Sequence, residues 1–140
     1  AAEQGAAPTA LLYISLSDFE SVNDLHGFDV GDELLAAVAG RLRNLARPED
    51  VIARVGGDEF AVFIAGASDP FAIEAFGERI VQQLAIPFRL DGAVDPVSVG
   101  ARVGVGFSLD GKDDAATLIR SAHEHLRRRR LRRHLGVDGF

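Results

Sequence analysis

The chain has 140 residues, 47% of them hydrophobic, which suits one globular domain with a single core. It holds no cysteine, so a disulfide framework and a thiolate metal site are excluded, and a cytoplasmic setting is the expectation. No apolar run reaches the length of about 18 residues that reads as a membrane span, no basic-then-apolar leader opens the sequence, and residues 1–126 carry 9 basic against 20 acidic residues, which argues against a nucleic-acid polymer as partner.

Residues 1–9 read as a lead-in or the end of a linker. LLYIS, 11–15, has the character of a first buried strand. Asp29 then stands as an N-cap, and Leu34, Val38, Leu42 and Leu45 recur at helical spacing, which predicts a helix over 30–46. Two apolar runs, 51–55 and 59–65, form a hairpin about Gly56-Gly57. Asp69 caps a second helix with Pro70 at its first position, and Ile73, Phe76, Ile80 and Leu84 carry it toward Pro87. VSVGARVGVGF, 97–107, alternates strictly, with Val97, Val99, Ala101, Val103, Val105 and Phe107 on one face. After the turn DGKDD, Asp113 or Asp114 caps a last helix whose apolar stripe is Leu118, Ala122 and Leu126. Six of the fifteen basic residues follow in RRRRLRR, 127–133, either a local phosphate binder or a solvated helix end. His123 and His125, two apart on a helix, do not converge on a metal and read as surface residues.

This order of elements predicts an α+β fold, a mainly antiparallel central sheet flanked by helices. The hairpin is expected at the sheet centre, because its strands are the most apolar. The folded domain is expected over 10–135, with 136–140 a tail or the start of a linker to a following domain.

Asp58 and Glu59 follow the hairpin glycines directly, where no turn requires two acids. Magnesium prefers oxygen ligands and commonly takes one or two carboxylates plus phosphate oxygens. Adjacent residues on a strand face opposite ways, so at most one of the two acids is a direct ligand. On spacing alone, a metal site and a pair of solvated acids both remain open.

RVGGDEF, 54–60, resembles the signature of the GGDEF family, the diguanylate cyclases. FESVND at 19–24, GDELL at 31–35 and PFRLDG at 87–92 resemble further motifs of that family, the last one in domains fused to EAL phosphodiesterase domains. The resemblance spans residues 10–130 and implies a fold like the palm of class III nucleotidyl cyclases. It implies an activity in which two GTP-loaded domains face each other as a homodimer. Each 3′-hydroxyl attacks the α-phosphorus of the other GTP, giving cyclic di-GMP and pyrophosphate with Mg²⁺ or Mn²⁺. It further implies a covalently linked EAL or sensor domain, and no membrane contact by the domain itself.

Carried over residue by residue, the resemblance places Asn23 and Asp32 where guanine is read. Their alternatives are a turn-forming amide and a first-turn helix acid. Asp58 falls on the metal-binding acid and Glu59 on its neighbour, with Gly56 and Gly57 allowing close approach of phosphate. The backbone carbonyl of Leu16 falls on a metal ligand. The first strand departs from the family's DxDxFK: Ser15 replaces the Asp that binds metal, Ser17 the second, and Glu20 the Lys. In the last helix Arg130 replaces a phosphate-binding Lys, and His134 falls at an Arg position. A second site, for inhibitory cyclic di-GMP, corresponds to Arg47, Asp50 and Arg79; the alternative for RPED is an ordinary salt bridge. The expectation is therefore a GGDEF domain, degenerate in catalysis, that binds GTP or cyclic di-GMP and regulates an attached domain. Its rivals are an active cyclase and a nucleotide-free dimerisation module.

Overall fold

In the computed structural model, which describes residues 8–134 with side chains through Arg129, β1 (Thr9–Ser17) runs through the middle of a four-stranded sheet. Both of its edges are paired, antiparallel to β3 (Glu59–Ala65) on one side and to β4 (Gly100–Ser108) on the other. β2 (Val51–Gly56) pairs only with β3, so the order is β2-β3-β1-β4. The sheet is wholly antiparallel, as expected.

Alternation along β1 divides the interior. Ala10, Leu12, Ile14 and Leu16 face a wide core shared with α2 (Phe28–Leu45) and α3 (Pro70–Leu84). Leu11 and Tyr13 face the other way, toward Leu118, Ala122 and Leu126 of α4 (Ala115–His134). Asp69 caps α3, accepting from Phe71 N–H at 3.0 Å, and Asp114 caps α4, accepting from Thr117 N–H at 2.8 Å. Among the described residues, no helix is long and apolar enough to cross a membrane.

Three local expectations need correction. The helix expected from residue 30 begins at Phe28, and a further helix, α1 (Phe19–His26), precedes it. Gly27, at φ 93°, ends α1 by donating to Asn23 O and starts α2 by accepting from Gly31 N–H. Asp29 is thus a first-turn acid and not the cap. The hairpin is not central: β2 is an edge strand, with Val51 57% and Val55 41% exposed. Its turn is Gly57-Asp58, since Gly56 pairs with Glu59 after a register shift at Val55.

α4 lies unusually near the sheet. A Cβ on Gly106 would sit 2.6 Å from Leu118 O, and one on Gly104 would clash with the Ala122 carbonyl. The helix also closes the outer edge of β4. Arg129 donates to Val103 O at 2.9 Å and pairs with Glu74 of α3 at 2.8 Å, while His125 Nδ1 accepts from Val105 N–H at 2.8 Å. His125 is therefore not a bystander on the surface. An imidazolium has no acceptor, so this bond requires the neutral ring. Burial and then the Arg129 charge push the imidazole below its ordinary value.

That shift has a pH consequence. The folded pKa lies below the unfolded one, so stability falls as pH drops from about 6.5 through the folded value. Between about pH 7 and about pH 5, the parent should lose more thermal stability than His125→Gln, which keeps an acceptor without the titration. Equal loss in the two proteins would show that His125 does not titrate against this bond.

Candidate functional site

The two acids stand at the end of the sheet where β1 meets the hairpin. Ser15 pairs in register with Glu59 on β3 and with Arg102 on β4. Directly opposed residues share a face, so Glu59, Ser15 and Arg102 form one row on the α4 side. Ser15 is buried and neutral at the centre of that row.

Glu59 is already engaged. The hydroxyl of Tyr13, two residues before Ser15 on the same face, donates to Glu59 Oε1 at 2.5 Å. Burial, this hydrogen bond and the neighbouring Glu59 and Asp58 charges push the Tyr13 phenol up to about 12, so it stays protonated and donating. The His123 ring meets Tyr13 edge-on at 5.2 Å and 66°. Asp58 lies in the turn, and its carbonyl accepts from Leu16 N–H at 3.0 Å. A strand residue's N–H and C=O point to the same side, so the Leu16 carbonyl faces the hairpin turn as well.

The donor chemistry for metal is thin. Asp58 and the Leu16 carbonyl with ligand phosphates suit one hard ion. A pair of ions needs more carboxylate than Asp58 and a Glu59 held by Tyr13, and Ser15 adds none. Among the described residues no three His, Cys, Asp or Glu side chains gather as a metal site. The glycines beside these acids are not demanded by the turn, because neither Gly56 nor Gly57 takes a positive φ. Space over Gly57 is open, and a Cβ there would meet nothing within 4 Å.

Asn23 and Asp32 are brought together by α1 and α2. The Asn23 side chain lies so close over Gly31, the residue before Asp32, that any Cβ at 31 would overlap Asn23 Oδ1. Phe19 packs on the same glycine. Asn23 Oδ1 is buried and has no hydrogen-bond partner, a costly state that a ligand donor would relieve. Asp32 is exposed beside it.

Arg47, Asp50 and Arg79 line one groove of about 380 Å³, with Leu45, Ile64 and Phe76 among its apolar walls. Asp50 is buried and both its oxygens are used within the pair. Oδ2 accepts from Arg47 N–H at 2.9 Å, and Oδ1 from Arg47 Nε and Nη2 at 3.1 and 2.9 Å. Arg47 also reaches Ala65 O at 3.0 Å and Glu49 at 3.5 Å. Arg79, exposed on α3, lines the same groove. The side chains of Arg130 and His134 lie outside the described residues, as do the first seven residues and those after 134.

Sequence reasoning passed over Tyr13 and Arg102, and it read His125 as a surface residue, where the structure has its Nδ1 accepting from Val105 N–H. Arg102 had a local signal, as the one charged residue within the apolar alternation of β4. Tyr13 had none, because its relation to Glu59 exists only across the paired strands.

Comparison with known proteins agrees with this architecture. The family described as "Diguanylate cyclase, GGDEF domain" matches residues 1–134. The cyclic di-GMP phosphodiesterase PdeR of Escherichia coli is 36% identical over 112 residues, 80% of this chain and 16% of that protein. The diguanylate cyclase TpbB of Pseudomonas aeruginosa is 33% identical over 114 residues, 81% of this chain and 26% of that protein. This chain thus spans only a minor part of the relatives it resembles. Among solved structures, the GGDEF domain of TpbB superposes with a TM-score of 0.81 at 28% identity, covering 90% of this chain and 78% of that one. An EAL/GGDEF domain protein from M. capsulatus superposes at 0.78 with 31% identity, covering 90% and 80%. A sheet of this order, carrying an acid hairpin turn beside β1, and a family match over nearly its whole length place this chain in the GGDEF family.

Proposed function

We propose that this domain binds guanine nucleotides, GTP or cyclic di-GMP, without converting one to the other, and that it regulates a domain attached to it. The observation that carries this reading is the row beside the acid turn. A buried serine stands where a cyclase needs its metal-binding carboxylate, and the adjacent Glu59 is committed to Tyr13. Glu20, in the first turn of α1, adds negative charge near the end of β1, where phosphates would gather.

Guanine binding rests on Asn23 and Asp32. The orphaned Asn23 Oδ1 suits a guanine donor, and a carboxylate at 32 accepts from N1–H and the exocyclic amine. A divalent ion, when bound, would neutralise phosphate charge, with Asp58 and the Leu16 carbonyl as its protein ligands. For cyclic di-GMP, Arg47 and Arg79 face the groove as phosphate or guanine-edge donors, and Asp50 holds the Arg47 guanidinium in place. Arg130, in the basic run that ends α4, is a further phosphate donor in this reading.

Calorimetric titration of the 140-residue chain with GTP, ATP and cyclic di-GMP tests the proposal. GTP should bind more tightly than ATP, and Asp32→Ala should erase that preference, because a guanine-shaped site leaves polar groups unpaired with adenine. Equal affinity for both nucleotides in the parent would remove the guanine reading. Cyclic di-GMP should bind, and Arg79→Ala should weaken it by about 1.5–3 kcal/mol, the worth of a charged hydrogen bond. Arg79 is exposed and outside the Arg47–Asp50 lock, so this variant reports binding and not folding. An unchanged affinity in Arg79→Ala would show that the groove is not the cyclic di-GMP site.

A further inference from the structure

Groups that read the edge of a base lie in its plane, and its two faces are left for apolar contact. We propose that Phe28 is the platform on which the base of a bound guanine nucleotide stacks, beside the edge-reading pair Asn23 and Asp32. The inference rests on the nucleotide reading above and concerns a face of the base instead of its edge.

Phe28 is the first residue of α2 and is 76% exposed. Asp32, also exposed, follows four positions later, one turn along the helix and about 6 Å up its axis. Gly31, over which the Asn23 side chain lies, falls within the same arc of about 100°. Phe28, Gly31 and Asp32 therefore share the flank of α2 that faces α1. The other flank is taken. Glu33 accepts from Asp91 N–H at 2.6 Å and Gly92 N–H at 2.9 Å, and a Cβ on Gly92 would press on Glu33 and Val30. The loop after α3 thus closes the side of α2 away from Phe28.

The junction before Phe28 leaves room for an incoming group. Gly27 takes φ 93° and donates to Asn23 O, so Phe28 follows Asn23 by one tight turn. A Cβ at Gly27 would meet nothing within 4 Å. Helical side chains lean toward the N-terminus, which carries the Phe28 ring over this open junction. Two other apolar residues nearby are placed differently. Phe19 also packs on Gly31, but it is drawn into the wide core. Leu25 is 79% exposed, yet it stands two positions from Asn23 on α1 and so faces away from it, by about 160° of arc. Every base has a π-face, so a stacked ring adds affinity without choosing among bases. Asn23 and Asp32 then set the preference for guanine, and Phe28 sets the strength.

The chain contains no tryptophan, so Phe28→Trp installs a single fluorescent reporter at the proposed contact. The experiment is calorimetric titration of the 140-residue chain and its variants with GTP, GMP and ATP, with the emission of Phe28→Trp followed in parallel. Phe28→Ala should weaken GTP and GMP by the same factor, about tenfold or about 1.4 kcal/mol, and leave the ratio of GTP to ATP affinity unchanged. Phe28→Trp should bind as tightly as the parent or more so, and GMP should quench its emission. Leu25→Ala, which removes an equally exposed apolar side chain from the same junction, should bind like the parent. Thermal melting of each variant checks folding; if Phe28→Ala does not fold, the emission of Phe28→Trp decides. Parental GTP affinity in Phe28→Ala, an equal loss in Leu25→Ala, or tryptophan emission unmoved at saturation would overturn the inference and leave the nucleotide reading standing. No binding of GTP by the parent would overturn both.

Discussion

The constraint on which the rest depends is that β1 is hydrogen-bonded along both edges and buried on both faces. Side-chain alternation has a period of two, so a one-residue slip would exchange Leu12 and Ile14 with Leu11, Tyr13 and Ser15. Each fully buried aliphatic side chain contributes about 1.5–3 kcal/mol, and a slip would misplace several at once. The register is therefore firmly set, and with it the row that joins Glu59, Ser15 and Arg102. The two faces are unequal. α2 and α3 cover one with a wide apolar core, while α4 comes so close to the other that only glycine fits at 104 and 106. The site opens at the end of the narrow side, where strand residues change from apolar to polar.

Much of this was legible in the sequence, for physical reasons that also explain the failures. α3 has a cap, a proline at its first position and an unbroken apolar stripe, and it formed where these signals placed it. The alternation of β4 likewise predicted which of its residues meet the core. α1 escaped notice because only Val22 on it is buried, which leaves no apolar period to detect. The hairpin was expected at the centre because Val51 and Val55 are apolar, yet both are exposed on the edge strand. Strand composition reports what a segment can bury and not whether a neighbour covers it.

The candidate site divides along the same line. Motif spacing singled out Asp58, Glu59, Asn23 and Asp32, and the fold gathers the first pair at the hairpin turn and the second around Gly31. What spacing could not convey is how these groups are occupied. Glu59 is bonded to Tyr13, Asp50 is spent on Arg47, and Asn23 keeps a buried oxygen unsatisfied. The first and last of these states arise across strands and between helices, Tyr13 lying 46 positions from Glu59, and a local reading has no access to them. The Arg47–Asp50 pair is three positions apart and was open to a local reading as a salt bridge. All three states also separate the groups still available to a ligand from those already consumed by the fold.

The central claim is that the chain keeps a nucleotide site whose chemistry has been withdrawn by Ser15, with Tyr13 holding what carboxylate remains. Two divalent ions close together require more negative oxygen than this row supplies. The most direct measurement is the formation of cyclic di-GMP from GTP by the 140-residue chain, followed by chromatography with Mg²⁺ and again with Mn²⁺. The account predicts no product with Mg²⁺ and at most traces with Mn²⁺. Sustained cyclic di-GMP production with Mg²⁺ would contradict it and make the domain a working cyclase despite its serine.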